Sequence, residues 1–384
     1  MKSMNKKEGL CIVISFIGVL ILASSLLHDY LEGNVIKYGL YDKTGIIVGA
    51  AFAVIGLILF MRTLSIKVNI FEILLVVILV ALPAIAGGFS YGYYLSGLDW
   101  QEKTSGYDTW AIGIYKSSSS EPFDFSGDNV SNPVLTAGDV TDIPAAFVAD
   151  PFLIHENDTF YMFFEVLNTN TGQGDIGLAI SNDGFDWNYK QIVLDEDFHI
   201  SYPYVFKWKN EYYMIPGSSQ KESIRLYKSN NFPYNWSFVK NLIQEKRFVD
   251  TSIFRYNNTW WLFTGSCNND VLWLYYSDNL TGPWIEHPKS PIVSGDANIA
   301  RPGGNVIVFD THRIVRYTQD DDPYYGNQVW AFEITALTKT SYEEHRVGRM
   351  PILKGFDNWN TQGMHQISPC QVSDNGWIAS VDGY

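Results

Sequence analysis

Two carboxylates interrupt an otherwise apolar ribbon: Asp150 in Phe147-Val148-Ala149-Asp150-Pro151-Phe152-Leu153-Ile154, and Glu165 closing Thr159-Phe160-Tyr161-Met162-Phe163-Phe164-Glu165. A two-residue turn at Asn157-Asp158 joins the runs into a hairpin, and an unbroken register counted from that turn sets Asp150 directly across from Glu165. Cross-strand Cβ atoms lie about 4.5–5.5 Å apart, and like charges so opposed are destabilising. The pairing therefore points to chemistry. Crowding raises the pKa of one acid and keeps it protonated near neutrality, while the other acts as base or nucleophile.

The same register applied further along the chain opposes Tyr202 to Gly217, Asp250 to Gly265 and, for a turn at Asp310-Thr311, Arg301 to Asp320. Glycoside cleavage uses such a set: a carboxylate that attacks or activates water, a protonated carboxyl for the leaving oxygen, and a third acid that tunes them. Asp150 is the candidate base or nucleophile, Glu165 the candidate acid and Asp250 the modulator; Tyr202, Arg301, Gln319, Asp320 and His365 are candidate substrate contacts. Two acids on one hairpin approach a substrate from the same side, so Glu165 is also a candidate for holding a sugar hydroxyl. Structural roles compete: Asp before Pro is a common turn pair, Asp250 can bond its own backbone, and Arg301 with Asp320 can be an ion pair that only stabilises. His365, in Gly363-Met364-His365-Gln366, and the weaker candidate Asp382 stand near the same end, whereas Asp183 in Ser181-Asn182-Asp183-Gly184 reads as a structural turn.

These residues are positioned by a repeat. Ala149-Asp150-Pro151-Phe152 recurs as Ser201-Tyr202-Pro203-Tyr204, Val249-Asp250-Thr251-Ser252, Ala300-Arg301-Pro302-Gly303 and Ile367-Ser368-Pro369-Cys370, with a period of about fifty residues. Each copy adds a polar turn, an aromatic-rich second strand and a third strand, except the last, which stops at Tyr384 without a third. Trp110-Ala111-Ile112-Gly113-Ile114-Tyr115-Lys116-Ser117, placed before the first copy, supplies it. This is ring closure, and it predicts an all-β five-bladed β-propeller whose aromatic stripes pack between blades while the first-strand residues line a central funnel.

Residues 1–95 form a separate region and 96–384 the propeller. Leu10–Leu27, Thr44–Met61 and Ile70–Phe89 have membrane-spanning length and predict a three-helix transmembrane anchor. Lys2, Lys6, Lys7, Arg62 and Lys67 place the N-terminus and the second loop in the cytoplasm, so the propeller is expected to be extracytoplasmic. The full sequence carries 27 Lys and Arg against 41 Asp and Glu, a net charge of −14, which argues against a nucleic-acid partner. Cys267 and Cys370 make no disulfide framework, and five Asn-X-Ser/Thr sequons, at Asn129, Asn157, Asn235, Asn257 and Asn279, matter only in a glycosylating host.

The run Asn132 to Phe152, with Tyr161-Met162-Phe163-Phe164-Glu165, Ala300-Arg301-Pro302-Gly303-Gly304, Tyr317-Thr318-Gln319-Asp320 and Gly363-Met364-His365-Gln366, resembles the N-terminal domain family of glucosamine inositolphosphorylceramide transferases. More distantly it is similar to five-bladed glycosidases of the arabinanase and levansucrase kind. The resemblance implies a carbohydrate-active propeller, with Asp150 at the first-blade base position and Asp250 at the third-blade stabilising position. Those glycosidases keep their acid on the fourth blade, where this chain has Arg301. The resulting expectation is a glycoside hydrolase or transglycosylase acting on a surface or secreted polysaccharide or glycoconjugate. It requires no cofactor, and a central calcium ion is compatible with it. A non-catalytic glycan-binding or scaffold module of an envelope glycan-assembly system is the alternative.

Overall fold

The turns fix the sheets. Asn157-Asp158, Lys209-Asn210 and Asn257-Asn258 each place two successive residues at φ between 48 and 62°, the conformation whose twist suits a two-residue hairpin. The computed structural model describes residues 109–384 apart from Thr311, so the three expected membrane spans lie outside the described residues. Among the described residues no helix is long and apolar enough to cross a membrane.

Five antiparallel sheets form the five blades. Blade one contains Ala145–Glu156, Thr159–Asn168, Gln173–Ser181 and Asn188–Leu194; blade two contains Ser201–Trp208, Glu211–Gly217, Ser223–Asn231 and Asn235–Gln244. Blade three begins with Phe248–Tyr256, Thr259–Ser266 and Val271–Ser277, and blade four has Ile307–Phe309, Arg313–Asp320 and Gln328–Leu337 as its first three strands. In both, two shorter strands share the outer edge. Blade five joins Ile367–Ser373 and Gly376–Gly383 to the N-terminal strand Ala111–Ser117, paired from Ala111 opposite Gly383 to Ser117 opposite Trp377. The expected closure of the ring is thus made by backbone hydrogen bonds between the two ends of the propeller.

Strand alternation explains where the core sits. Phe163 packs with Val205, Met214 and Tyr227 of blade two, whereas its neighbours Met162 and Phe164 pack with Ile112, Ile114 and Ile378 of blade five. Repeated around the ring, this gives five apolar clusters, one at each boundary between adjacent blades. A fully buried Phe contributes roughly 1.5–3 kcal/mol, so the aromatic stripes hold blade to blade, as the repeat predicts.

The first strands depart from the expected register. Ala149, not Asp150, pairs with Glu165, and pairing resumes at Phe152 opposite Phe163. Ser201 pairs with Gly217 before Tyr204 meets Ile215, and Val249 pairs with Gly265 before Ser252 meets Phe263. Each interval sets two residues against one, a β-bulge, and in each the first bulged residue is left-handed: Asp150 at φ 52°, Tyr202 at 45° and Asp250 at 49°. Bulges re-aim side chains. Here the same device, three times over, turns one residue per blade away from the ladder.

Blade four is built differently. Gly303 N donates to Tyr317 O and Gln319 N to Arg301 O, so Arg301 lies beside Gln319 rather than opposite Asp320. Gly304 then pairs in parallel with Ile367 of blade five at φ 142°, and a Cβ there would sit 1.8 Å from Ile367 O. Only glycine admits that approach.

Candidate functional site

The bulge at Asp150 is held by its neighbours on both sides. Its backbone N donates to Asp382 Oδ2 of blade five at 2.9 Å, and its own Oδ2 accepts the backbone N–H of Tyr202 of blade two at 3.1 Å. Each acid thus satisfies the bulged N–H of the next blade. The other oxygen is different: Asp150 is 5% exposed, and Oδ1 has no hydrogen-bond partner among the described residues.

His365 faces that oxygen, with Nε2 at 3.4 Å from Oδ1. On the far side its Nδ1 donates to Asp382 Oδ1 at 2.8 Å, and the same oxygen accepts the N–H groups of His365 at 3.2 Å and Gln366 at 2.9 Å. Trp110, delivered by the closing strand, stacks on the imidazole with centroids 4.1 Å apart. Burial opposes charge on His365, but Asp382, with Asp150 adding to it, pushes the imidazole up to about 9. The ring is therefore an imidazolium at neutral pH, pointing at Asp150. Burial raises the Asp150 carboxyl, His365 pulls it back, and the balance leaves it at about 7.

Asp250 occupies the same bulge in blade three with no free oxygen of this kind. Arg301 Nε donates to its Oδ2 at 2.5 Å, and Gln319 Nε2 donates to the same oxygen at 2.6 Å and to Pro302 O at 2.8 Å. Arg301 is fixed further by Nη1 on Asn269 at 2.9 Å and by its guanidinium 5.1 Å from the Tyr325 ring centroid. The expected ion pair with Asp320 is absent because Asp320 accepts from Gln328 Nε2 at 2.7 Å and Trp330 Nε1 at 2.9 Å within its own blade. Asp320 is a structural acceptor.

Glu165 is buried, and His199 Nε2 lies 3.5 Å from its Oε1. Burial pushes its carboxyl well above the ordinary range, and the charges of Asp150 and Asp250 push it further. Asp150, Asp250, Arg301 and Glu165 thus share one electrostatic environment although the register does not oppose them. Tyr202 is corrected outright. It is fully buried; its hydroxyl accepts from Gly304 N at 2.7 Å, lies 2.9 Å from Ser252 Oγ, and donates to Gly304 O at 3.1 Å, tying blade two across the ring to the Gly304 crossing. Its hydroxyl is committed to holding the Gly304 crossing. Asp183 accepts from Phe185 N and Asp186 N at 2.8 Å each, the structural turn expected.

Asp150, His365 and Asp382 bring ligand-type atoms within 4.8 Å of one another. Their lone pairs are largely committed: Asp382 Oδ1 takes three N–H donors, its Oδ2 takes one, Asp150 Oδ2 takes another, and His365 Nδ1 carries a proton. A hard dication wants six or more oxygens, so this trio does not fit a calcium ion.

Sequence reasoning missed His199. It stands two residues before the first strand of blade two, as His365 stands two before that of blade five, and the phase of the repeat was the available signal. Trp110 was legible only as the start of the closing strand.

A family model described as "Glucosamine inositolphosphorylceramide transferase 1, N-terminal" matches residues 103–384. Glucosamine inositolphosphorylceramide transferase 1 of Oryza sativa subsp. indica is 36% identical over 301 residues, covering 72% of this chain and 40% of the relative. The Arabidopsis thaliana protein of that name is 34% identical over 266 residues, covering 66% and 34%. The chain thus spans two fifths or less of the length of these relatives. Among solved structures, a family 117 glycoside hydrolase produced by Zobellia galactanivorans aligns over 71% of this chain and 90% of its own, at 14% identity and a TM-score of 0.46.

Proposed function

This chain belongs to the glucosamine inositolphosphorylceramide transferase N-terminal family, and we propose that its propeller is a carbohydrate-active enzyme that cleaves or transfers a glycosidic bond. In this reading the N-terminal spans anchor it with the propeller outside the membrane, and the substrate is a polysaccharide or glycoconjugate. The relatives' name favours a glycoconjugate but describes proteins of which the matched region is two fifths or less.

The observation that carries the reading is Asp150 Oδ1, a buried carboxylate oxygen that faces the His365 imidazole at 3.4 Å but takes no hydrogen bond among the described residues, on a residue whose other oxygen and backbone N–H are both fixed. Buried acceptors are almost always satisfied, so one left open on a left-handed residue supports a role in holding a water or a substrate group. His365, locked by Asp382 and Trp110, offsets part of the rise that burial imposes on Asp150 and leaves its carboxyl at about 7, so the anion that can attack or take a proton from water is available near neutrality. Glu165, kept protonated by burial and neighbouring charge, supplies the proton to the leaving oxygen. Asp250 is neutralised by Arg301 and acts as a fixed dipole beside them.

The same Arg301–Asp250 pair favours the second reading, a glycan-binding or scaffold module, because the resemblance to five-bladed glycosidases implies an acid at the position of Arg301, whose guanidinium is instead paired with Asp250. Reducing-end release across a panel of polysaccharides and glycolipids separates the two. The enzyme reading expects release by the wild type and its loss in Asp150→Asn. Binding without release favours the module.

A further inference from the structure

We propose that His199 is a positioning residue for the reaction: a fixed neutral donor whose Nε2–H takes Glu165 Oε1 and leaves the transferable proton on Oε2. The proposal rests on the reading of Glu165 as the acid, and its starting point is a tautomer. His199 Nδ1 lies 2.9 Å from the backbone N of Gly174, which can only donate, so Nδ1 is an acceptor and the ring proton resides on Nε2. That nitrogen is the one 3.5 Å from Glu165 Oε1, a long contact to a neutral carboxyl that shortens to a charge-assisted hydrogen bond when Glu165 ionises.

Gly174 seats both partners. A Cβ there would lie 2.7 Å from Glu165 Oε1, 2.9 Å from His199 Cε1 and 2.5 Å from Ile200 O. Its carbonyl meanwhile accepts from Ile200 N at 3.0 Å, so the His199 backbone is held to the edge of blade one. Burial holds the imidazole below its ordinary range, which keeps the ring neutral. A neutral ring with a blocked Nδ1 cannot relay protons. It can stabilise the Glu165 carboxylate that remains after donation, against the charges of Asp150, Asp250 and Asp382 and alongside that of Arg301.

The test needs no substrate. Infrared titration of the unliganded protein follows the protonated-carboxyl band that Glu165→Gln removes. With His199→Ala the band should persist to higher pH by about one pH unit, the tenfold expected of a lost hydrogen bond to a charged carboxylate. His199→Gln, which restores a donor, should move it back. Ring nitrogen NMR should show the Nε2–H tautomer. An unmoved band in His199→Ala, or the Nδ1–H tautomer, overturns the proposal while leaving Glu165 as the acid. No Glu165→Gln-sensitive band at all overturns the acid reading and the proposal with it.

Discussion

Blades one and three contain the same backbone device with opposite outcomes. Asp150 and Asp250 each sit left-handed in a bulge two residues long, at φ 52° and 49°, and both are buried. Asp250 is filled by Arg301 and Gln319, whereas Asp150 keeps one oxygen open and faces a histidine. A strained aspartate in a propeller funnel is therefore not by itself a reactive one. The partners decide, and those partners come from other blades.

Variants that remove a partner sharpen the contrast. Arg301→Ala strands the Asp250 charge in the interior and should cost about 3–5 kcal/mol in urea unfolding. Asp150→Asn keeps an acceptor for Tyr202 N and should cost less than about 1 kcal/mol. Equal costs would remove the distinction between the two acids. Tyr202→Phe leaves Gly304 N and Ser252 without their shared hydroxyl, and should lose about 1–3 kcal/mol of stability while leaving ligand affinity unchanged. Weakened glycan binding in a fully folded Tyr202→Phe would return that residue to the substrate.

Titration separates blade one further. The His365 pKa is raised from 6.5 to about 9, so its contribution to stability is fully present below 6.5 and is lost as pH rises through 9. Asp150, raised from 3.8 to about 7, likewise favours the folded state at low pH and loses that contribution as pH rises through 7. Wild-type stability should decline across both windows, with Asp150→Asn flattening the lower and His365→Asn the upper. A pH-independent difference between wild type and either variant would contradict the linkage. The smallest effect is expected from chelation: because the Asp150–His365–Asp382 group does not fit a calcium ion, excess EDTA should leave the melting temperature unchanged. A drop of several degrees would place a cation in the funnel.

Much of this was legible in the sequence, because repeats advertise themselves through spacing. The phase of Ala149-Asp150-Pro151-Phe152 and its copies located the funnel residues, and the orphan strand at Ala111–Ser117 revealed how the ring closes. Register was not legible. A bulge inserts one residue with no mark beyond an Asp or Tyr before a Pro or Thr, so counting from the turn set Asp150 against Glu165 when Ala149 takes that place. Arg301 and Asp320 were mispaired because the segment before Ile307 leaves the regular ladder to cross toward blade five. Tyr202 had the position of a site residue, but its hydroxyl found Gly304, about a hundred residues on, a contact no local pattern encodes. His199 and the full role of Asp382 depend likewise on joining different blades.

The central claim is that Asp150 is the reactive acid of a glycan-processing site. Its most direct test is reducing-end release by wild type and Asp150→Asn measured side by side on a glycan that the wild type cleaves, with unfolding midpoints recorded for both. Asp150→Asn should lose roughly 10²–10⁴-fold in release with the midpoint nearly unmoved. Release by Asp150→Asn at the wild-type rate would contradict it.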